Sequence, residues 1–307
     1  DQKAAVDKLA REYAAELNAL GVKVDGLQAQ VNDMVKFSGD ARIRYYSADN
    51  NGSAVSDAAE YRLRLGAAAR VNDKSDIYAR ISTGDATIQS GSPGATVDNA
   101  YLSTELLGMS AKIGRQDYDL GQGMLAGADS NAILNGVSMR QGNFLMFGGK
   151  ALSDEGVTSE AYGAQYTFKI GAPVTLAYLN LAEKDYFAAS TSFELFPGFK
   201  VSGEYARNDS DNAKAYQVKA AIGKTGLSIG YKDVDAYAVP FESALNLKSA
   251  NIGDLQDFRA AANAAGHAKG LECEYNADIA KNTALNVLYQ DIKDHGKNVR
   301  ATVNVKF

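Results

Sequence analysis

Arg42, Arg44, Arg62, Arg64 and Arg80 occupy the polar positions of three neighbouring stretches in which apolar and polar residues alternate. Side chains two apart in an extended chain share a face, so these guanidinium groups build a basic wall rather than a catalytic centre. Lys112 has the same parity on a later stretch, whereas Arg115 joins that face only if a bulge intervenes. An acidic counterpart lies in the connection KIGRQDYDLGQGMLAGADSNAILNGV, which carries Asp117, Asp119 and Asp129 among Gly121, Gly123 and Gly127. Glycine frees that backbone to bend, yet the same composition serves any solvated loop, and the arginines could simply pair with nearby carboxylates.

Catalytic and metal chemistry have less footing. His267 and His295 fall outside the alternating stretches with no metal-ligand spacing, and the lone Cys273 can form neither an internal disulfide nor a zinc cluster. No G-x-S-x-G, HExxH or phosphate-cradling loop is present, so a phospholipase or protease has no visible machinery. The Asp49, Asn50, Asn51 and Asn208, Asp209, Asp211, Asn212 clusters have the composition of calcium sites but not the spacing of an EF-hand. The expectation is a protein with no catalytic residues, metal or cofactor. A net charge of -5 argues against a nucleic-acid partner.

The elements that must hold the arginines are strands. Ala41, Ile43 and Tyr45 alternate with Asp40, Arg42, Arg44 and Tyr46; Tyr61, Leu63 and Leu65 with Arg62 and Arg64; Ile77, Ala79 and Ile81 with Tyr78, Arg80 and Ser82. Arginine in the buried side of a soluble sheet would be costly, whereas in a barrel lumen it meets water. No run of eighteen apolar residues offers a spanning helix, but a transmembrane barrel needs only its outward residues apolar. Sixteen such segments follow one another from residue 37 to the end, the even number of single-chain bacterial barrels and a size that leaves an aqueous channel. Connections after even segments are short (NDKSD, LLG, RQGN, KIGAP, FPG, GKTG, DIAKN). Those after odd segments are mostly longer, including 83–96, 116–132, RNDSDNAK and 235–266. The rival reading is a secreted β-sandwich or adhesin, which would alternate in the same way.

Before residue 36 the period is helical. Taking Lys3, Ala10, Leu17, Val24 and Val31 as one core position leaves Val6, Tyr13, Leu20, Leu27 and Met34 as the other, so nine of the ten seam positions are apolar. The expectation is an α-helical coiled-coil stalk over 1–35, about 50 Å long if fully helical, ahead of an antiparallel β-barrel over 36–307. The seam wants a partner, which points to self-association. A single amphipathic helix packed on its own domain is the alternative. The chain begins at Asp1 without Met, which reads as a mature or truncated piece of something longer.

Two resemblances add to this. The final stretch KNVRATVNVKF, with Val303, Val305 and a terminal Phe307, resembles the closing strand of bacterial outer-membrane barrels. That resemblance implies an assembly signal read by the barrel-assembly machinery and pairing with the first strand. Residues 112–137 resemble the part of general porins in which a Gly-Arg-Gln run feeds a third external loop folded into the lumen. It implies that Asp117, Asp119 and Asp129 face the arginine wall across a narrowed pore, setting up a transverse field that favours small polar or ionic solutes.

A coiled coil joined to such a barrel through KFSGDARIRYY resembles the OmpM-type outer-membrane proteins of diderm Firmicutes. Membership implies a homotrimeric general diffusion porin for small hydrophilic solutes, set in outer-membrane lipid or lipopolysaccharide. It also implies a periplasmic stalk carrying a surface-layer-homology domain that grips peptidoglycan, a domain absent from this sequence. A substrate-specific channel or receptor, or a mainly structural tether, is the alternative function.

Overall fold

The computed structural model describes residues 35–49, 56–88, 94–126, 133–152, 158–240 and 253–307. The expected stalk seam and the loop residues Gly127 and Asp129 lie outside them. Sixteen long strands follow in chain order. The first eight are β1 Lys36–Asp49, β2 Ser56–Asn72, β3 Ser75–Ser82, β4 Thr96–Leu106, β5 Met109–Asp117, β6 Ile133–Gln141, β7 Phe144–Leu152 and β8 Thr158–Ile170. The rest are β9 Ala172–Leu181, β10 Lys184–Phe196, β11 Phe199–Asn208, β12 Ala213–Ile222, β13 Leu227–Asp235, β14 His267–Ala280, β15 Thr283–Ile292 and β16 Gly296–Lys306. Each pairs antiparallel with its neighbours in sequence, and β1 also pairs with β16, closing a barrel. A two-residue strip, Ala86–Thr87, adds to β2 beyond the end of β3.

The barrel inverts the usual distribution of polarity. Ile43 is 60% exposed while its neighbour Arg42 is 2% exposed, and the same alternation runs through Leu63 and Leu65 against Arg62 and Arg64. Apolar side chains that a soluble protein would bury form the outer surface, as a lipid-facing barrel requires. Strand ends extend beyond the alternating apolar residues. β1 reaches Asp49 and β2 starts at Ser56, both in polar sequence, because backbone pairing continues into polar ribbon once two strands are aligned.

One end of the barrel carries tight turns, such as Leu107-Gly108, Gly142-Asn143 and Lys281-Asn282, with a positive-φ residue in each. The other end carries the longer connections, although 182–183 and 293–295 are short there too. Both chain ends of the barrel meet at the tight-turn end. Gly39 and Phe307 exchange backbone hydrogen bonds of 2.8 and 2.9 Å, continuing the ladder that aligns Ala41 with Val305 and Ile43 with Val303. Glycine is required at 39: a Cβ there would lie 2.5 Å from the Phe307 ring and 2.9 Å from the Arg64 carbonyl oxygen.

Buried apolar residues do not form a conventional core. They lie inside the barrel, where two connections fold inward. Leu120, Met124 and Leu125, between β5 and β6, belong to one cluster with the inward alanines Ala161, Ala177, Ala188, Ala206 and Ala215. The long connection after β13 contributes a helix, α1 Gly253–Ala265, whose Phe258 and Ala262 are in the same cluster as Val234, Ala268 and Ile292. Sequence alone left that connection without a role.

Replacing Gly39 by Val should obstruct closure, since forcing a side chain into a filled site costs about 1–3 kcal/mol. The expected outcome is a several-fold loss of the folded, heat-modifiable species on unheated gels, with Phe307→Ala having a smaller effect because it leaves a gap rather than a clash.

Candidate functional site

The basic wall is assembled by register. Arg42 on β1 lies directly opposite Arg62 on β2, Asp40 opposite Arg64, and Arg44 opposite Glu60. Across the closing seam Arg42 meets Asn304 and Arg44 meets Thr302 of β16, while Arg300, another buried arginine, is paired with Tyr46. Like charges directly opposed destabilise a sheet unless acidic groups intervene. Asp40 accepts from Arg64 Nε at 2.8 Å and lies 3.6 Å from Arg62, and Glu60 lies 3.9 Å from Arg44.

The closest acidic partner of Arg42 comes from a loop. After β3 the chain turns through Thr83 and Gly84, whose φ of 66° suits glycine, and returns along β2 as Ala86–Thr87. Thr83 N donates to Leu63 O at 3.0 Å and Ile88 N to Ala59 O at 2.8 Å, so the segment is fastened on both sides of Asp85. Asp85 points inward and ion-pairs with Arg42. Burial alone would raise the Asp85 carboxyl, but Arg42, Arg62 and Arg44 together outweigh it and hold the group below its ordinary value.

Arg80 belongs to a second group. It donates to Asp98 at 2.9 Å and to Asp117 at 3.0 Å, and Asn99 Nδ2 donates to Asp117 at 3.1 Å. Asp117 therefore ends β5 as part of the wall. Asp119 is exposed. Lys112, in register with Ser103, sits nearer the tight-turn end with its ammonium 4.7 Å from the Tyr101 ring centre. Arg115 donates from Nε to the Asp98 carbonyl at 3.2 Å.

The segment after β5 is docked on the far wall. Gly121 and Gly123 take φ values of 66° and 107°, and Leu120 N donates to Ala126 O at 3.0 Å, closing a compact turn. Glu204 of β11 receives the backbone N–H groups of Gln122 at 2.9 Å and Met124 at 3.1 Å, and Gln217 donates to it at 3.2 Å. Gly121 N donates to Gln165 Oε1 of β8 at 3.0 Å, and Gln122 Nε2 to Thr191 O of β10 at 2.7 Å. Glu204 is 3% exposed, and among the described residues it forms no ion pair. A carboxylate held by main-chain donors fixes this turn without adding positive charge to the lumen.

Sequence reasoning did not single out Glu204, Asp85, Asp40 or Arg300. Parity marks Glu204, Asp40 and Arg300 as inward, but no local pattern names their partners. The remaining lumen wall is also charged. Lys219 pairs with Glu274 and Lys232 with Glu272, while Asn286 donates to Glu274 at 2.6 Å and Gln290 to Glu272 at 3.2 Å. Helix α1 covers part of this wall, its Phe258 ring centre 5.6 Å from the Lys232 ammonium and Arg259 donating to Pro240 O at 2.7 Å. At the loop end, Asp233, Asp235 and His267 gather within 4.8 Å. Asp233 already receives Tyr216 and contacts His267 at 2.7 Å, and Asp235 receives the Lys214 amide, so protein groups account for the arrangement.

No protein-family model and no curated protein matches this chain. Solved structures do. The OmpF of Salmonella typhi in complex with daunomycin superposes with a TM-score of 0.62 at 14% identity, covering 90% of this chain and 98% of that one. A mutant porin of Rh. blastica gives 0.57 at 11%, covering 89% and 100%. A loop-deletion mutant of the Vibrio cholerae outer-membrane protein OmpT gives 0.56 at 14%, covering 89% and 99%. At these identities the likeness is one of fold: this chain is a porin-like barrel of sixteen strands, a form that fits the outer membrane.

Glu204→Ala should release the docked turn, because two backbone donors lose their acceptor at about 1–3 kcal/mol each. Gly121→Ala should do the same by placing a Cβ 2.0 Å from Glu204 Oε1. Limited proteolysis in detergent is expected to cut both variants within 118–132 while the barrel stays folded; equal resistance to the parent would refute the anchoring role.

Proposed function

We propose that this chain is an outer-membrane diffusion porin, passing small hydrophilic solutes and ions through a water-filled lumen without an energy source. The observation that carries it is the inverted barrel: exposed apolar side chains outside, buried arginine, lysine and glutamate inside. A closed ring of sixteen strands is wide enough for an aqueous channel. In this reading the segment after β5 narrows the pore, with Arg42, Arg44, Arg62, Arg64 and Arg80 on its basic side and Asp119 and Asp129 as the acids the segment itself brings, while Asp117 stays on the wall beside Arg80. The anchoring of Gln122 and Met124 on Glu204 supports an inward position for that segment. The role is transport, not catalysis.

The organisation beyond the barrel is part of the same proposal. Residues 1–35 form a periplasmic coiled-coil stalk, 36–307 the barrel, and three chains associate so that their stalks meet below the membrane. Adjacent barrels would bring the seams together and raise their effective concentration. A wall-binding domain at the far end of the stalk would then tether the membrane to peptidoglycan, as in OmpM-type proteins.

Replacing the five arginines by Ser should shift ion selectivity toward cations in planar-bilayer recordings, because positive charge leaves the pore wall. Unchanged conductance and selectivity would remove that wall from the pathway. The intact protein in mild detergent should have the mass of three chains, and deleting 1–34 should leave trimers that conduct. Monomeric mass would dispose of the trimer, and failure of the full-length parent to bind isolated peptidoglycan would dispose of the tether.

A further inference from the structure

One carboxylate in the lumen, Asp85, is in contact with Arg42 and within the field of two more guanidinium groups. Arg42 and Arg62 are opposite each other, Arg44 is the next inward residue on β1, and the field of Asp85 reaches all three. Asp85 satisfies only part of them. Its Oδ1 engages Arg42, while Oδ2 makes no hydrogen bond. Arg44 and Arg62 are 4% exposed, and Arg44 Nε and Nη2 together with Arg62 Nε and Nη1 are buried without a protein acceptor. Their nearest carboxylates, Glu60 at 3.9 Å and Asp40 at 3.6 Å, are beyond hydrogen-bond distance. Buried charged donors normally find acceptors, so this set is shaped for more oxygen atoms than one carboxylate supplies.

Space adjoins Arg42 and Arg62. A cavity of about 480 Å³ is lined by Arg42, Arg62, Arg64, Asn286, Asn304 and Lys306, on the tight-turn side of Asp85. Asp40 and Asp278 also border it, so its positive character is concentrated at the arginine end.

We propose that Arg42, Arg44 and Arg62 form a binding site for a small tetrahedral dianion, with inorganic phosphate as its simplest ligand, and that Asp85 is a tethered competitor which such an anion displaces. A tetrahedral oxyanion presents several acceptors in different directions, whereas Asp85 offers two, one of them unused. Guanidinium forks recognise such groups by paired hydrogen bonds, which a chloride ion cannot make. The segment carrying Asp85 is fastened at Thr83 and Ile88, so displacement needs only a side-chain swing. The site rests on the porin reading for its route of entry alone.

Calorimetric titration of the purified protein in detergent with inorganic phosphate, at constant ionic strength set by chloride, tests the site. The unaltered chain should bind phosphate. Asp85→Asn should bind it at least about tenfold more tightly, because a competitor occupying most of the population raises the apparent dissociation constant in proportion. Arg62→Gln should abolish the heat; if that variant does not fold, Asp85→Asn decides, since misfolding cannot produce a gain in affinity. No binding to either the parent or Asp85→Asn, or equal affinity in the two, overturns the proposal. Bilayer recordings of the parent separate the failures. Conductance with a flat isotherm sinks the anion site and leaves the porin, while a binding isotherm without conductance sinks the porin and leaves the site.

Discussion

Closure of the backbone hydrogen-bond ladder between β1 and β16 is the constraint on which everything else depends. In a lipid environment an unpaired sheet edge has no water to satisfy it, so a strand array of this polarity is tenable only as a ring. The register that aligns Arg42 with Asn304 and Ile43 with Val303 brings one end of the barrel chain to the other. It also decides what faces the lumen. A slip of one residue would turn Arg42 and Arg44 outward and Ile43 inward, so closure and placement of charge are one requirement.

The lumen answers a second demand, that charges crowded inside a narrow ring be compensated. The solutions differ around the circumference. Between β12 and β15 lysines and glutamates pair directly, and the Asn286 and Gln290 amides donate to the same glutamates. On β1 and β2 arginines outnumber what their own strands supply, and the chain brings in Asp85 from a loop. That difference leaves Arg44 and Arg62 with donors to spare on one wall, while on the other Lys219 and Lys232 each have a carboxylate.

Two connections occupy the interior by different means. The turn after β5 is held through its main chain, so its docking depends on glycine at 121 and on Glu204 more than on its own side chains. Helix α1 is held through side chains, with Phe258 and Ala262 against inward positions of the neighbouring strands. Small inward residues line the side on which the turn docks. Ala161, Ala177, Ala188, Ala206 and Ala215 lie where longer side chains would fill the lumen.

The period-two pattern was enough to number the barrel strands and to assign inside from outside, because alternation is a local property that each strand carries alone. It marked Arg42, Arg44, Arg62, Arg64 and Arg80 as inward, while the resemblance of the run to Phe307 to the last strand of outer-membrane barrels marked it as the closing strand. Strand ends were less legible, since pairing beyond the apolar band leaves no hydropathy signal at Asp49 or Ser56. Partners across the lumen were not legible at all. Glu204 meets Gln122 and Met124 over some eighty residues of chain, and Asp85 reaches Arg42 only because the β3 connection folds back on β2. Nothing in the sequence of α1 names the residues it meets on β13, β14 and β15, such as Val234, Ala268 and Ile292. These contacts were decided by the tertiary structure, because they join residues that curvature and closure bring together and that no spacing along the chain relates.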